Sequence, residues 1–168
     1  TEDDLDEFLS PTLSSVHDPF LLPDMSNSVE RLLQAVESKE VVGVFGDFDT
    51  DGISGTALLT RGLENLGLKV FPYVPHRVDE GHGISPQSLD FFSSKDVTLL
   101  ITVDCGVTSI DEIQKALDMG IETIVTDHHT ALDGMPHAIA IVNPSLPNSS
   151  YPFKYLTGVG TAFKVMQA

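Results

Sequence analysis

Val41-Val42-Gly43-Val44-Phe45-Gly46-Asp47-Phe48-Asp49-Thr50-Asp51-Gly52 is an apolar run that stops abruptly on aspartates at alternate positions and closes on a glycine. Its first half reads as a strand buried on both faces. Ile53-Ser54-Gly55-Thr56-Ala57-Leu58-Leu59 follows and opens a helix. Three carboxylates within five residues repel one another unless a cation sits among them, and clustered carboxylate oxygens are the donors that hard divalent ions take. The alternative is a polar strand-to-helix loop with capping aspartates. The stretch alone does not separate the two.

The same pattern recurs along the chain. Residues 68–74 read as a second strand, with Pro72 marking an edge or irregular position. Residues 97–103 form a strongly apolar third strand ending in Asp104-Cys105-Gly106. Residues 121–126 form a fourth, ending in Asp127-His128-His129, and 138–142 a fifth, ending in Asn143-Pro144.

Helices alternate with these strands. One spans 27–39, with Val29, Leu32, Leu33 and Val36 at helical spacing and Asn27 with Glu30 fitting a capping box. The next spans 53–66, turns Ile53, Ala57, Leu58 and Leu66 inward, and ends at Gly67 as a left-handed cap. Another starts at Ser85-Pro86, a further one runs from Ser109 to Gly120, and a last one opens at Leu156-Thr157-Gly158-Val159-Gly160. Residues 1–24, punctuated by Pro11, Pro19 and Pro23, read as an extended arm. Its Phe8, Leu9, Phe20, Leu21 and Leu22 are placed to dock on the body.

Alternating strands and helices predict an α/β domain over 25–168: a mostly parallel open sheet of about five strands with helices on both faces. In such a sheet the carboxyl ends of the strands share one edge, where ligands bind. Asp47, Asp49, Asp51, Asp104, Asp127, His128 and His129 all follow strands directly, so three distant stretches deliver carboxylates and imidazoles to one crevice. Carboxylates with one or two imidazoles and no thiolate suit manganese or magnesium better than structural zinc. Two such ions, bridged by a carboxylate, clamp the attacking and leaving oxygens of an in-line displacement at phosphorus. Cys105 lies in a site loop but reads as a small buried hydrophobe.

The bulk properties narrow the class. The 168 residues are 41% hydrophobic and 20% charged, enough for one full core. No run of about 18 apolar residues is present to span a membrane. The acidic start lacks the apolar core of a signal peptide, and a single cysteine suits a reducing cytoplasmic setting. A net charge of −16 speaks against a free-standing nucleic-acid binder, which carries a basic footprint. The acid is either solvated surface or partly neutralised by cations, and any basic surface lies on another segment. A start without Met and an end inside an apolar helical pattern read as a piece of a longer protein.

Together Asp47-Phe48-Asp49-Thr50-Asp51-Gly52, Asp104-Cys105-Gly106 and Asp127-His128-His129 resemble the first three motifs of the DHH phosphoesterases. His17-Asp18-Pro19-Phe20-Leu21-Leu22, Asp79-Glu80-Gly81-His82-Gly83-Ile84-Ser85, Val142-Asn143-Pro144 and Gly158-Val159-Gly160-Thr161-Ala162-Phe163 are similar to the RecJ branch, single-strand-specific 5′→3′ DNA exonucleases of repair and recombination. The resemblance covers nearly the whole chain.

It implies that Asp49 binds one ion, Asp51 the other, and Asp104 bridges them. His128 is then a ligand to the second ion, His129 faces the substrate phosphate, and Asp127 orients the histidine pair. Asp47 is left between ligand and support. Many members carry a histidine where Phe45 stands, so the first ion would have fewer protein ligands. A fourth motif and a second domain are expected beyond Ala168, leaving the second metal site incomplete and these residues weakly active or inactive alone.

Arg77 and His82 are candidate substrate contacts beside glycine-bracketed turns, each with the alternative of a solvated loop residue. Asn143 is a third, with an Asn-Pro turn as its alternative. His17, His76 and His137 read as ordinary loop histidines. The amides before the last helix could hold phosphate or simply pack. The competing functions are a phosphodiesterase for short oligonucleotides or cyclic dinucleotides, a non-catalytic DHH scaffold, and a receiver-like magnesium-binding domain. The last has no use for consecutive histidines.

Overall fold

A computed structural model of the chain describes residues 5, 8–10, 12, 16–132 and 134–168. Most of the acidic start, and Pro11 in the expected arm, lie outside the described residues. Five strands form one sheet: β1 (Val41–Gly46), β2 (Lys69–Tyr73), β3 (Leu99–Val103), β4 (Glu122–Thr126) and β5 (Ala140–Val142). Their order is β2-β1-β3-β4-β5, and every pairing is parallel. Among the residues from 16 onward that are described, five α-helices accompany them: α1 (Met25–Ser38), α2 (Thr50–Asn65), α3 (Pro86–Ser93), α4 (Ile110–Asp118) and α5 (Gly158–Gln167).

Two-residue alternation along the strands splits the core in two. Val42, Val44, Leu99, Ile101, Val103, Ile124 and Val142 pack with α1, α2 and α5 through Leu32, Ala35, Leu59, Leu63, Ala162 and Val165. Phe45, Leu100, Val125 and Ile141 face the other way, against Leu89 and Phe92 of α3 and Ile113 and Ala116 of α4. The expected open parallel sheet with helices on both faces is the observed one. Pro72 is tolerated because β2 is an edge strand, pairing only with β1.

Several local expectations are corrected. The first helix starts at Met25, not 27. Its N-cap is Asp24, in the left-handed region at φ 52°, so Asn27 and Glu30 do not form the capping box. The Asp24 carboxylate instead accepts the Ile141 amide at 3.0 Å. Helix α2 starts three residues early and buries Gly52, Gly55, Thr56, Leu59 and Leu63, while Ile53 and Leu66 are exposed. Small residues face the sheet because the approach is close: a Cβ at Gly55 would stand 2.3 Å from Val103 Cγ1.

In the arm, Leu22 is buried, whereas Phe8, Leu9 and Phe20 are exposed. Ser150 Oγ and Lys164 Nζ donate to the Leu21 and His17 carbonyls and tie the segment to the body. Among the described residues no helix is long and apolar enough to cross a membrane.

Candidate metal centre

Strand order reverses between β1 and β3, and ligands bind outside the carboxyl ends of strands at such a switch point. The aspartates lie there. The Asp47 amide donates to the Val103 carbonyl at 3.2 Å, and the Asp104 amide to the Thr126 carbonyl at 3.0 Å, so both sit one residue beyond the sheet. The Asp47–Gly52 turn is tight enough that a Cβ at Gly52 would stand 2.3 Å from the Asp47 carbonyl oxygen. Asp49 caps α2, its Oδ1 accepting the Asp51 and Gly52 amides at 2.8 and 3.0 Å. Asp104 holds a left-handed φ of 60° and is buried at the end of β3.

Carboxylate oxygens of Asp47, Asp49 and Asp104 lie within 4.8 Å of one another, as do donor atoms of Asp104, His128 and His129. Asp104 belongs to both groups, the place a bridging ligand takes. His128 Nε2 stands 3.0 Å from Asp104 Oδ1 and 3.8 Å from Asp51 Oδ2. Despite that approach Asp104 Oδ1 makes no hydrogen bond, and neither does the buried Asp47 Oδ1. Buried polar oxygens without a partner are costly, and a hard cation is a partner that clustered carboxylates accept. The donor set fits a divalent ion.

The electrostatics agree. Burial, then the charges of Asp51 and Asp49, push Asp104 up to about 7. Asp49 moves the other way: the Gly52 amide foremost, with the Asp51 amide, holds it below the usual carboxylate range against its desolvation. Asp127 is 1% exposed and saturated. Its Oδ1 accepts the amides of His128 and His129 and lies 2.7 Å from His129 Nδ1, while Oδ2 accepts the Val107 amide. It therefore supports the pair rather than coordinating. Burial lowers the His129 pKa, but the Asp127 hydrogen bond and the surrounding carboxylates outweigh it and leave it raised. Burial, then the neighbouring carboxylates, push the Cys105 thiol well above its ordinary range, and its Sγ donates to the Val103 carbonyl at 3.4 Å.

A cleft of about 510 Å³ opens over the centre, lined by Asp47, Asp49, His82, Asp104, Asp127 and His129 among others. His82 reaches it from the 75–84 loop, with Nδ1 3.2 Å from Asp47 Oδ2 and its ring 4.3 Å from that of Phe48. Arg77 lies over the other part of the same ring, Cζ 5.2 Å from its centroid. Glu80 pins the loop, accepting Tyr73 Oη, Ser85 Oγ and the His76 amide.

Two expectations change in detail. Asn143, read as touching substrate, is fully buried: Nδ2 donates to the His129 carbonyl and Oδ1 accepts the Ser145 amide. It braces the histidine turn. The first amides of α5 hold no space for phosphate either, since Gly158 and Val159 donate to Asp51. Sequence reasoning missed Phe48, the shared contact of Arg77 and His82. Its signal was its place between Asp47 and Asp49, where an apolar side chain must find cover at a solvated turn. Phe45 is fully buried and stacks on Tyr73 at 5.8 Å.

The profile of the DHH family, N-terminal domain, matches residues 41–168. The single-stranded-DNA-specific exonuclease RecJ of Bacillus subtilis (strain 168) is 36% identical over 161 residues, covering 96% of this chain and 20% of that protein. A crystal structure of exonuclease RecJ bound to manganese superposes with a TM-score of 0.79 at 37% identity, over 86% of this chain and 37% of the other. RecJ from Thermus thermophilus in complex with Mn2+ gives 0.73 at 34% identity, over 96% of this chain and 22% of the other. The same enzyme with Mg2+ gives 0.58 at 30% identity, over 95% and 18%. The chain thus spans about a fifth of the length of the Bacillus relative.

Proposed function

This chain belongs to the DHH family, and from that premise we propose that it is the metal-holding part of a divalent-metal-dependent phosphodiesterase, acting in a 5′→3′ exonuclease on single-stranded DNA. The observation that carries the reading is the buried, unpartnered oxygens of Asp47 and Asp104 facing His128 and Asp49. The likeness to exonucleases whose solved structures hold Mn2+ or Mg2+ supports it.

In this reading Asp47, Asp49 and Asp104 would hold one ion, and Asp104, Asp51 and His128 a second. Manganese or magnesium suits the oxygen donors, and the imidazole among them favours manganese. Such ions, when bound, neutralise the crowded carboxylates and polarise phosphate oxygens. The chain's own residues do the rest. Asp127 holds His129 by Nδ1 and keeps its ring protonated further into the neutral range, so the ring donates a proton to a phosphate oxygen or leaving group. At 57% side-chain exposure against 31% for His128, His129 is the histidine that substrate meets. Arg77, over the Phe48 face, binds backbone phosphate with its planar fork. His82, tilted against the same ring, approaches the end of the strand.

Calorimetric titration of the chain with Mn2+ tests the centre. Saturable binding that Asp49→Ala and His128→Ala each abolish is expected. An absence of binding would instead favour a non-catalytic scaffold. Digestion of 5′-labelled single strands against dinucleotides by the full-length protein tests the substrate.

A further inference from the structure

Resting on the reading of the centre as a divalent-metal site, we infer that helix α5 is a positioning element for it. The backbone amides of Gly158 and Val159 act as a two-point clamp on the Asp51 carboxylate. Gly158 N lies 2.7 Å from Asp51 Oδ2, and Val159 N lies 2.7 Å from Asp51 Oδ1. Both oxygens are engaged, which fixes rotation as well as place. The same Oδ2 is the one 3.8 Å from His128 Nε2. An aspartate in the first turn of α2 is thereby aimed across the crevice by a helix more than a hundred residues later, with 107 positions separating it from Gly158.

The packing exists to allow this. Gly55 lies one turn below Asp51 on α2, and a Cβ there would stand 3.3 Å from Val159 Cα and 2.3 Å from Val103 Cγ1. Without that side chain the two helices approach until Asp51 meets the amides. Gly158 is equally constrained, since a Cβ would lie 2.4 Å from Asp104 Cβ. The first residue of α5 therefore abuts the buried aspartate while clamping its neighbour.

The third free amide, Gly160, is satisfied by Thr157 Oγ1 at 3.2 Å, and the Thr161 amide by the Thr157 carbonyl. All the donors that the helix start leaves open are thus accounted for within the chain. At its far end α5 is tethered by Lys164, only 2% exposed, which donates to the His17 carbonyl and to Gln167 Oε1.

Val159→Pro removes one clamp donor at a first-turn position where proline is tolerated. Val159→Ala keeps the amide and removes only the side chain. The clamp predicts that Mn2+ affinity falls about tenfold in Val159→Pro, the factor that loss of one hydrogen bond to a charged group carries. Affinity stays at the wild-type value in Val159→Ala. In parallel, the Gly158 and Val159 amide NMR signals of the wild-type chain shift during Mg2+ titration with the same midpoint as the His128 ring signals.

Equal Mn2+ affinity in all three proteins, or amide signals indifferent to Mg2+, overturns the proposal. Should Val159→Pro not fold, Val159→Ala and the amide titration still decide. A wild-type chain that binds no divalent ion fails the metal reading itself, a result distinct from failure of the clamp alone.

Discussion

Replacing Asp104 by asparagine should stabilise the metal-free chain while abolishing its response to manganese. The carboxyl is 4% exposed and its pKa stands at about 7 against an ordinary 3.8. Burial is the first cause, and Asp51 and Asp49 add to it. A folded-state value above the unfolded one means that the folded chain holds a proton the unfolded chain has released. Metal-free stability therefore falls as pH rises from 3.8 toward about 7, and stays reduced above it. At about 1.4 kcal/mol per unit the full shift corresponds to roughly 4 kcal/mol, a ceiling because water and small relaxations screen the repulsion. About half of it, roughly 2 kcal/mol, is the expected gain from Asp104→Asn in mildly alkaline buffer, or roughly 4–8 °C in Tm for a chain of this size. Asparagine also accepts the left-handed φ of 60° better than any other uncharged residue but glycine.

The assay is thermal melting with chelator and with manganese across a pH series. Wild type should gain about 2.7 kcal/mol when free Mn2+ is a hundredfold above its Kd, and the variant little or none. The two chelated proteins should converge as pH falls below 3.8, where Asp104 carries a proton in both folded and unfolded chains. A chelated variant that melts below wild type in alkaline buffer would refute the electrostatic argument. A variant that keeps the full manganese gain would refute Asp104 as the shared ligand.

Asn143→Ala leaves the His129 carbonyl and Ser145 amide without partners, so about 1–3 kcal/mol of stability should go, with weaker Mn2+ binding through the displaced histidine turn, read by urea denaturation and calorimetry. Glu80→Ala releases Tyr73, Ser85 and the His76 amide together, and should raise backbone NMR mobility over 75–84 without changing Mn2+ affinity. Gly55→Ala should cost about 1–3 kcal/mol by overpacking against Val103 and Val159, measured by denaturant melting. Phe48→Ala removes the face shared by Arg77 and His82, so single-strand binding by the full-length protein should weaken while manganese binding holds.

The sheet and its loaded edge were readable in advance because each strand is a short apolar run ending on a polar turn, and a parallel sheet gathers all such ends on one side. Less of the local detail followed. The inward face of α2 is made of Gly52, Gly55 and Thr56, so a search for large apolar residues picked Ile53 and Leu66, which face water. Asp24 starts α1 by a left-handed turn and spends its carboxylate on β5, a contact 117 residues away that no local cap pattern encodes.

The same limit separates the aspartates from one another. In sequence Asp47, Asp51, Asp104 and Asp127 are alike: acids that follow strands. Their roles diverge through the amides that reach them. Asp127 receives three backbone amides and a histidine ring, and is saturated. Asp51 receives two from α5. Asp47 and Asp104 each keep a buried oxygen that accepts no hydrogen bond among the described residues, the Asp104 one lying 3.0 Å from His128 Nε2. The amides that reach each acid thus set which of its oxygens are already engaged within the chain. Some of those donors come from segments folded in from elsewhere, Val107 for Asp127 and the start of α5 for Asp51. A mutation that redirects one amide should therefore change metal affinity without touching any residue that the motif names.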